Sequence, residues 1–284
     1  MTSLDTWVKG GRPRTLAAAI APVIVGTALA GTHAMFVRAG LALIVSLSLQ
    51  IGVNYSNDYS DGIRGTDSDR VGPIRIVASG LASPAAVKKA AFIAFSLAGV
   101  AGIALAALSS WWLLVVGALA ILAAWTYTGG KTPYGYRGFG EISVFTFFGL
   151  VATMGTYYVQ TQTVTLKSLA AAIPIGALSC AILAINNIRD RAKDALVGKH
   201  TLAVYFGEKG SRNFFVLLLL LAHVAALFVT PWALLTLAAL PFSLKLAREV
   251  KAEMQSAALI PMIAKTGQLQ LLFSALLAIA ILVS

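Results

Sequence analysis

Two short stretches of this chain carry carboxylates at helical spacing. Asn54, Asn57, Asp58 and Asp61 fall at offsets 0, 3, 4 and 7, so a helix gathers four oxygen-bearing side chains on one face. Asn186, Asp190 and Asp194, at offsets 0, 4 and 8, repeat the arrangement further along. Like charges one turn apart repel by a few tenths of a kcal/mol in water and by more when partly buried, so such clusters favour a bound cation. Oxygen donors without a His or Cys cluster suit Mg²⁺, which takes one or two carboxylates and fills its remaining positions with water and phosphate oxygens. Arg64, Arg70, Arg75, Lys131, Arg137, Arg189 and Lys199 lie beside these stretches and supply the cationic donors that pair with a diphosphate; Arg64, Arg70, Lys131, Arg137 and Lys199 are the diphosphate candidates. The alternative is solvated helix-end carboxylates paired with neighbouring Arg and Lys. It explains one isolated aspartate better than two clusters at equivalent places.

The elements that must carry these residues are transmembrane helices. Of 284 residues, 58% are hydrophobic and only 12% charged, which excludes a water-soluble domain. Apolar runs centre on 15–31, 39–56, 90–108, 111–128, 141–159, 168–187, 213–230, 232–247 and 266–283, long enough to cross a hydrocarbon core of roughly 30 Å. The expected fold is therefore all-α and polytopic, with nine transmembrane helices. The run 232–247 contains Pro241 and reads as kinked or tilted, and a count of eight stays open. The single cysteine, Cys180, lies inside an apolar run and reads as a buried, inert thiol.

Nine spans put alternate loops on opposite sides. Only Arg38 and Lys167 of the 22 basic residues then fall on one side, so the other side is cytoplasmic and holds the N-terminus. Orientation also accounts for the net charge of +11 without invoking nucleic acid. Orientation does not account for the eleven acids, all of which share the basic side. The two clusters lie four spans apart, which predicts one domain over 1–284 built from four-helix units at 15–128 and 141–247 plus a ninth helix.

A diphosphate held at helix ends above an apolar bundle implies a lipid whose tail runs between the helices, and a prenyl diphosphate fits. Metal and cations would stabilise the departing diphosphate, and aromatic faces such as Tyr127, Tyr134 and Tyr136 could stabilise the allylic cation, although Tyr also gathers at membrane interfaces. The glycine-rich loop from Tyr127 to Glu141 is too flexible for a helix and reads as a cap over the site. A secondary transporter is the rival class, but its binding residues would sit near mid-membrane in broken helices instead of at span ends.

Asn57-Asp-Tyr-Ser-Asp61 and Asp190-x-x-x-Asp194 resemble the paired motifs of the UbiA superfamily of intramembrane aromatic prenyltransferases. The blocks Arg12-Pro-Arg-Thr-Leu16, Asp69-Arg-Val-Gly-Pro73, Pro133 to Glu141 and Gly198-Lys-His-Thr-Leu202 are similar to the branch of that family acting on naphthoate. The resemblance implies nine helices around a central cavity and Mg²⁺ bound by Asn57, Asp58, Asp61, Asp190 and Asp194. Where the general motif has a further aspartate this chain has Gly65, and Asp67 is the candidate substitute ligand. The implied reaction joins a polyprenyl diphosphate to 1,4-dihydroxy-2-naphthoate with loss of the carboxyl group. Asp58, Asp61, Asp190 and Asp194 would be catalytic, and Tyr127, Tyr134 and Asn186 would serve the acceptor or the cation.

Overall fold

The computed structural model describes residues 2–66, 72, 74–253 and 255–284. Asp67 and Arg70 therefore lie outside the described residues. All regular structure among those described is helical: α1 (Leu4–Gly11), α2 (Ala17–Ala30), α3 (Phe36–Arg64), α4 (Pro84–Leu108), α5 (Leu113–Thr126), α6 (Gly140–Val144), α7 (Ala152–Thr161), α8 (Leu166–Leu196), α9 (Leu202–Ala226), α10 (Leu240–Ala252) and α11 (Ile260–Leu282). Each expected apolar run coincides with helix. Six continuous helical stretches are long and apolar enough to cross a membrane, among them Gly140–Thr161, which joins α6 to α7. The pair Leu4–Thr15 and Ala17–His33, bent by 53°, makes a seventh candidate.

The remaining two runs are shorter or broken for visible reasons. In the run 111–128, Trp111 and Trp112 form a turn, leaving α5 only 14 residues, about 21 Å at 1.5 Å each. The run 232–247 divides into a 3₁₀ stretch, Pro231–Ala239, and α10, with Pro241 at the start of α10. Sequence signals set the other boundaries. Ser83 caps α4 by accepting from the Ala86 N–H ahead of Pro84, and Thr165 and Ser168 form a reciprocal capping box on α8. Arg12, at φ 51°, breaks α1 from the Pro13 turn, and Gly65, at φ 71°, ends α3.

Two long neighbouring pairs, α3 with α4 and α8 with α9, carry the carboxylate helices, while α8 runs through the middle and packs on α2, α9 and α11. Its core partners include Phe215, Leu218, Phe273 and Leu277. Between α6 and α7 the chain widens into a π-helical stretch, Phe145–Val151. There Gly149 lies against Gly176 of α8: a Cβ on Gly149 would stand 2.6 Å from the Gly176 Cα. Gly26 of α2 is equally close to α7, where a Cβ would meet the Thr153 carbonyl oxygen at 2.6 Å.

Candidate active site

The C-terminal ends of α3 and α8 bring the two carboxylate clusters together. A small void of about 10 Å³ is lined by Asp61 from α3, by Asp190, Lys193 and Asp194 from α8, and by Arg75 and Lys199 from the loops that follow. Each carboxylate has a cation beside it. Arg75 Nη2 stands 3.5 Å from Asp61 Oδ2, Lys199 Nζ stands 3.4 Å from Asp194 Oδ1, and Arg189 forks onto Asp190. The Tyr136 hydroxyl donates to Asp61 Oδ1 at 2.7 Å, and its ring lies under both Arg64 and Lys199, 5.5 and 5.4 Å from its centroid. Burial and the neighbouring Asp61 charge push the Tyr136 phenol well above its ordinary range, so at neutral pH it remains a donor.

The void adjoins a much larger cavity of about 290 Å³. Asn57, Asp61, Arg75, Asp190 and Lys199 line its polar end, and Arg12 reaches it from the break after α1. Tyr127, Tyr134, Phe147, Phe148 and Leu183 line it further in, and Ala42, Leu105, Leu113 and Val159 line its far end. The cavity thus follows the helices from their charged ends into an apolar channel. Tyr127 and Tyr134 meet edge to face, their centroids 5.5 Å apart, and the Tyr134 hydroxyl is tied to the Ala123 carbonyl and Ser143 Oγ. Asn186 lines the cavity while donating to the Ile182 carbonyl; Asn187 beside it donates to the buried Glu141 carboxylate at 2.9 Å. Cys180 is buried, with its thiol directed at the Glu141 carbonyl.

Not every expected residue faces this space. Asn54 lines the large cavity, but its amide is spent on the N-terminal break, donating to the Gly11 carbonyl at 2.8 Å and bracing the entry to α2. Asp58 is fully buried and accepts backbone N–H groups, and it lines neither cavity. Arg64 donates to the Thr128 and Gly130 carbonyls, pinning the glycine-rich loop, and Lys131 and Arg137 lie exposed on that loop away from the cavity lining. Sequence reasoning counts Arg75 among the cations beside the carboxylates and Tyr136 among the aromatic candidates, but it gives Arg12 and Thr128 no place in the site. Thr128 donates to Asn57 Oδ1 at 2.8 Å, and the loop that carries it had signalled its role through its glycines.

Among the described residues no three His, Cys, Asp or Glu side chains form a ready-made metal cage. The donor set nevertheless suits Mg²⁺, which keeps several waters and binds through a few carboxylates and phosphate oxygens. Asp61, Asp190 and Asp194 share one void large enough for about a single water-sized species.

Comparison with known proteins bears on the family and the fold. The sequence profile of the UbiA prenyltransferase family matches residues 19–259. A 1,4-dihydroxy-2-naphthoate octaprenyltransferase of Mycobacterium tuberculosis is 49% identical over 279 residues, covering 96% of each chain. The Escherichia coli protein of the same name is 40% identical and covers 99% of this chain and 96% of its own. In fold, the chain is similar to a UbiA homologue of Archaeoglobus fulgidus solved with GPP and Mg²⁺, with a TM-score of 0.67 at 15% identity over 98% of this chain and 100% of the other. A homologue from Aeropyrum pernix K1 gives 0.69 at 13% identity, over 95% and 97%.

Proposed function

Since the chain belongs to the UbiA prenyltransferase family, we propose that it transfers a polyprenyl group from prenyl diphosphate to 1,4-dihydroxy-2-naphthoate, with loss of the acceptor's carboxyl group, in menaquinone biosynthesis. The observation that carries the reaction type is the joining of Asp61, Asp190 and Asp194 to a long apolar cavity. The acceptor rests on the near end-to-end identity with relatives named for it.

In this reading Asp61, Asp190 and Asp194, with Asn57 at the cavity's polar end, hold Mg²⁺, which when bound neutralises charge on the diphosphate and makes it a better leaving group. Arg75 and Lys199 supply further positive charge to the diphosphate from the same void. Arg189 keeps Asp190 in one orientation, and the Tyr136 hydroxyl does the same for Asp61. Tyr127 and Tyr134 present ring surface to the cavity where the allylic cation would form, and Asn186 offers a polar contact for the acceptor. The prenyl tail occupies the apolar length toward Leu105 and Leu113.

The same reading takes nine crossings around the central cavity, counting α5 and the 231–252 segment as spans, with the N-terminus and the site facing the cytoplasm. Only Arg38 and Lys167 oppose the basic majority, which supports that orientation. Two four-helix units, 15–128 and 141–247, followed by a last helix, would explain why the carboxylates sit at matching ends of α3 and α8.

Membranes carrying the protein should form prenylated naphthoquinol from dihydroxynaphthoate and a long prenyl diphosphate. Prenylation of 4-hydroxybenzoate in its place would overturn the acceptor assignment.

A further inference from the structure

We infer that Asp58 is a positioning residue, not a metal ligand: it clamps the backbone of residues 74–77 onto α3 and so delivers Arg75 to Asp61. Its two carboxylate oxygens are shared between consecutive amides, with Ile76 N–H on Oδ2 at 3.0 Å and Val77 N–H on Oδ1 at 2.9 Å. Hydrogen bonds from two amides to one buried carboxylate are charge-assisted and fix the geometry of both partners. Asp58 is fully buried.

The clamped segment sits tightly on α3 and α1. Val77 rests on Gly62, where a Cβ would come within 2.4 Å of Val77 Cγ1; Ile76 is fully buried, and a Cβ on Gly10 would come within 2.9 Å of its Cδ1. The segment then closes on itself: Ser79 N–H donates to the Arg75 carbonyl at 2.9 Å and Ala82 N–H to the Ile76 carbonyl at 3.0 Å. Arg75 immediately precedes the clamped pair, and its guanidinium reaches Asp61 and lines both cavities. Asp58 and Asp61, nearly one helical turn apart, therefore divide the work. Asp58 takes the backbone of the loop, and Asp61 takes the side chain that the loop presents.

The arrangement at Arg75 is read through the proposed diphosphate site, but the clamp itself is tested independently of it. Hydrogen exchange on the purified protein should show Ile76 and Val77 losing protection by about tenfold or more in Asp58→Asn, while Asp61→Asn leaves them protected. Binding of geranyl diphosphate with Mg²⁺ should be weaker in Asp58→Asn and in Arg75→Ala, and the double variant should match Arg75→Ala within about twofold, since the two act through one path. Unchanged exchange at residues 76 and 77 in Asp58→Asn would overturn the proposal. So would a double variant whose loss is the product of the two single losses. Should the unsubstituted protein bind no diphosphate with Mg²⁺, the functional reading fails, and the exchange measurement alone decides the role of Asp58.

Discussion

Arg189 turns back onto the residue that follows it: its Nε and Nη2 donate to the two oxygens of Asp190 at 2.8 and 2.7 Å. Neighbours in a helix point about 100° apart, so this fork forms only because the guanidinium is long enough to curl around the helix. The pair is almost entirely buried, and it holds one of the three carboxylates that share the small void.

Replacing that fork tests its purpose. Arg189→Lys keeps the charge but cannot donate two parallel bonds, and turnover should fall about tenfold or more while the protein still inserts. Asp190→Asn should be worse, by about 100-fold or more. Steady-state rates, normalised to inserted protein, check both. Full activity in Arg189→Lys would remove any orienting role.

Asp61→Asn and Asp194→Asn should each lower turnover by about 100-fold or more, and a chelator should abolish activity that added Mg²⁺ restores. Retained activity in both variants, or indifference to chelation, would sink the metal reading.

The half-buried phenols of Tyr134 and Tyr136 make stability depend on alkaline pH. Burial raises both above the ordinary value of about 10, so they stay protonated in the fold while the unfolded chain ionises. Above about pH 10 the unfolded state sheds protons first, and stability falls as pH rises. Thermal unfolding in detergent from pH 8 to 11 should show this fall, and Tyr136→Phe should make it shallower. An identical slope in the variant would contradict the shift.

Because Cys180 is buried, introduced cysteines can report sidedness over a quiet background. His33→Cys lies between α2 and α3 and Lys131→Cys between α5 and α6, so a membrane-impermeant thiol reagent should reach them from opposite sides, Lys131→Cys from the cytoplasm. Labelling of both from one side would overturn the topology.

The helices, and the faces that carry Asp61 on one helix and Asp190 with Asp194 on another, were legible in the sequence because both rest on periodicity: apolar runs give the helices, and i, i+4 spacing gives a face, while the meeting of the two faces was expected only from the repeat of the pattern at equivalent helix ends. Periodicity stops at contacts between distant segments. Asp58 shares its face with Asp61, yet a loop 18 residues on folds back and takes its oxygens. The same folding brings Arg75 into the site, and Arg64, beside the carboxylates in sequence, is drawn off by carbonyls 64 and 66 residues away. Hydropathy also cannot distinguish a 3₁₀ stretch from an α-helix, so 232–247 read as one kinked or tilted helix where the structure has a 3₁₀ stretch followed by α10.

The π-helical stretch Phe145–Val151 bears on how this chain can vary over generations. A π turn holds more residues than an α turn, so the face α7 presents depends on the number of residues before it. Deleting one residue there would turn α7 by about 100° about its axis. Thr153 and Thr156 would leave Gly26, and Val159 would leave the far end of the cavity. Away from Gly149 and the cavity-lining Phe147, Phe148 and Val151, a substitution inside 145–151 meets only local packing, but any change in its length dislocates a whole helix, so sequences descended from this one should keep the number of residues there.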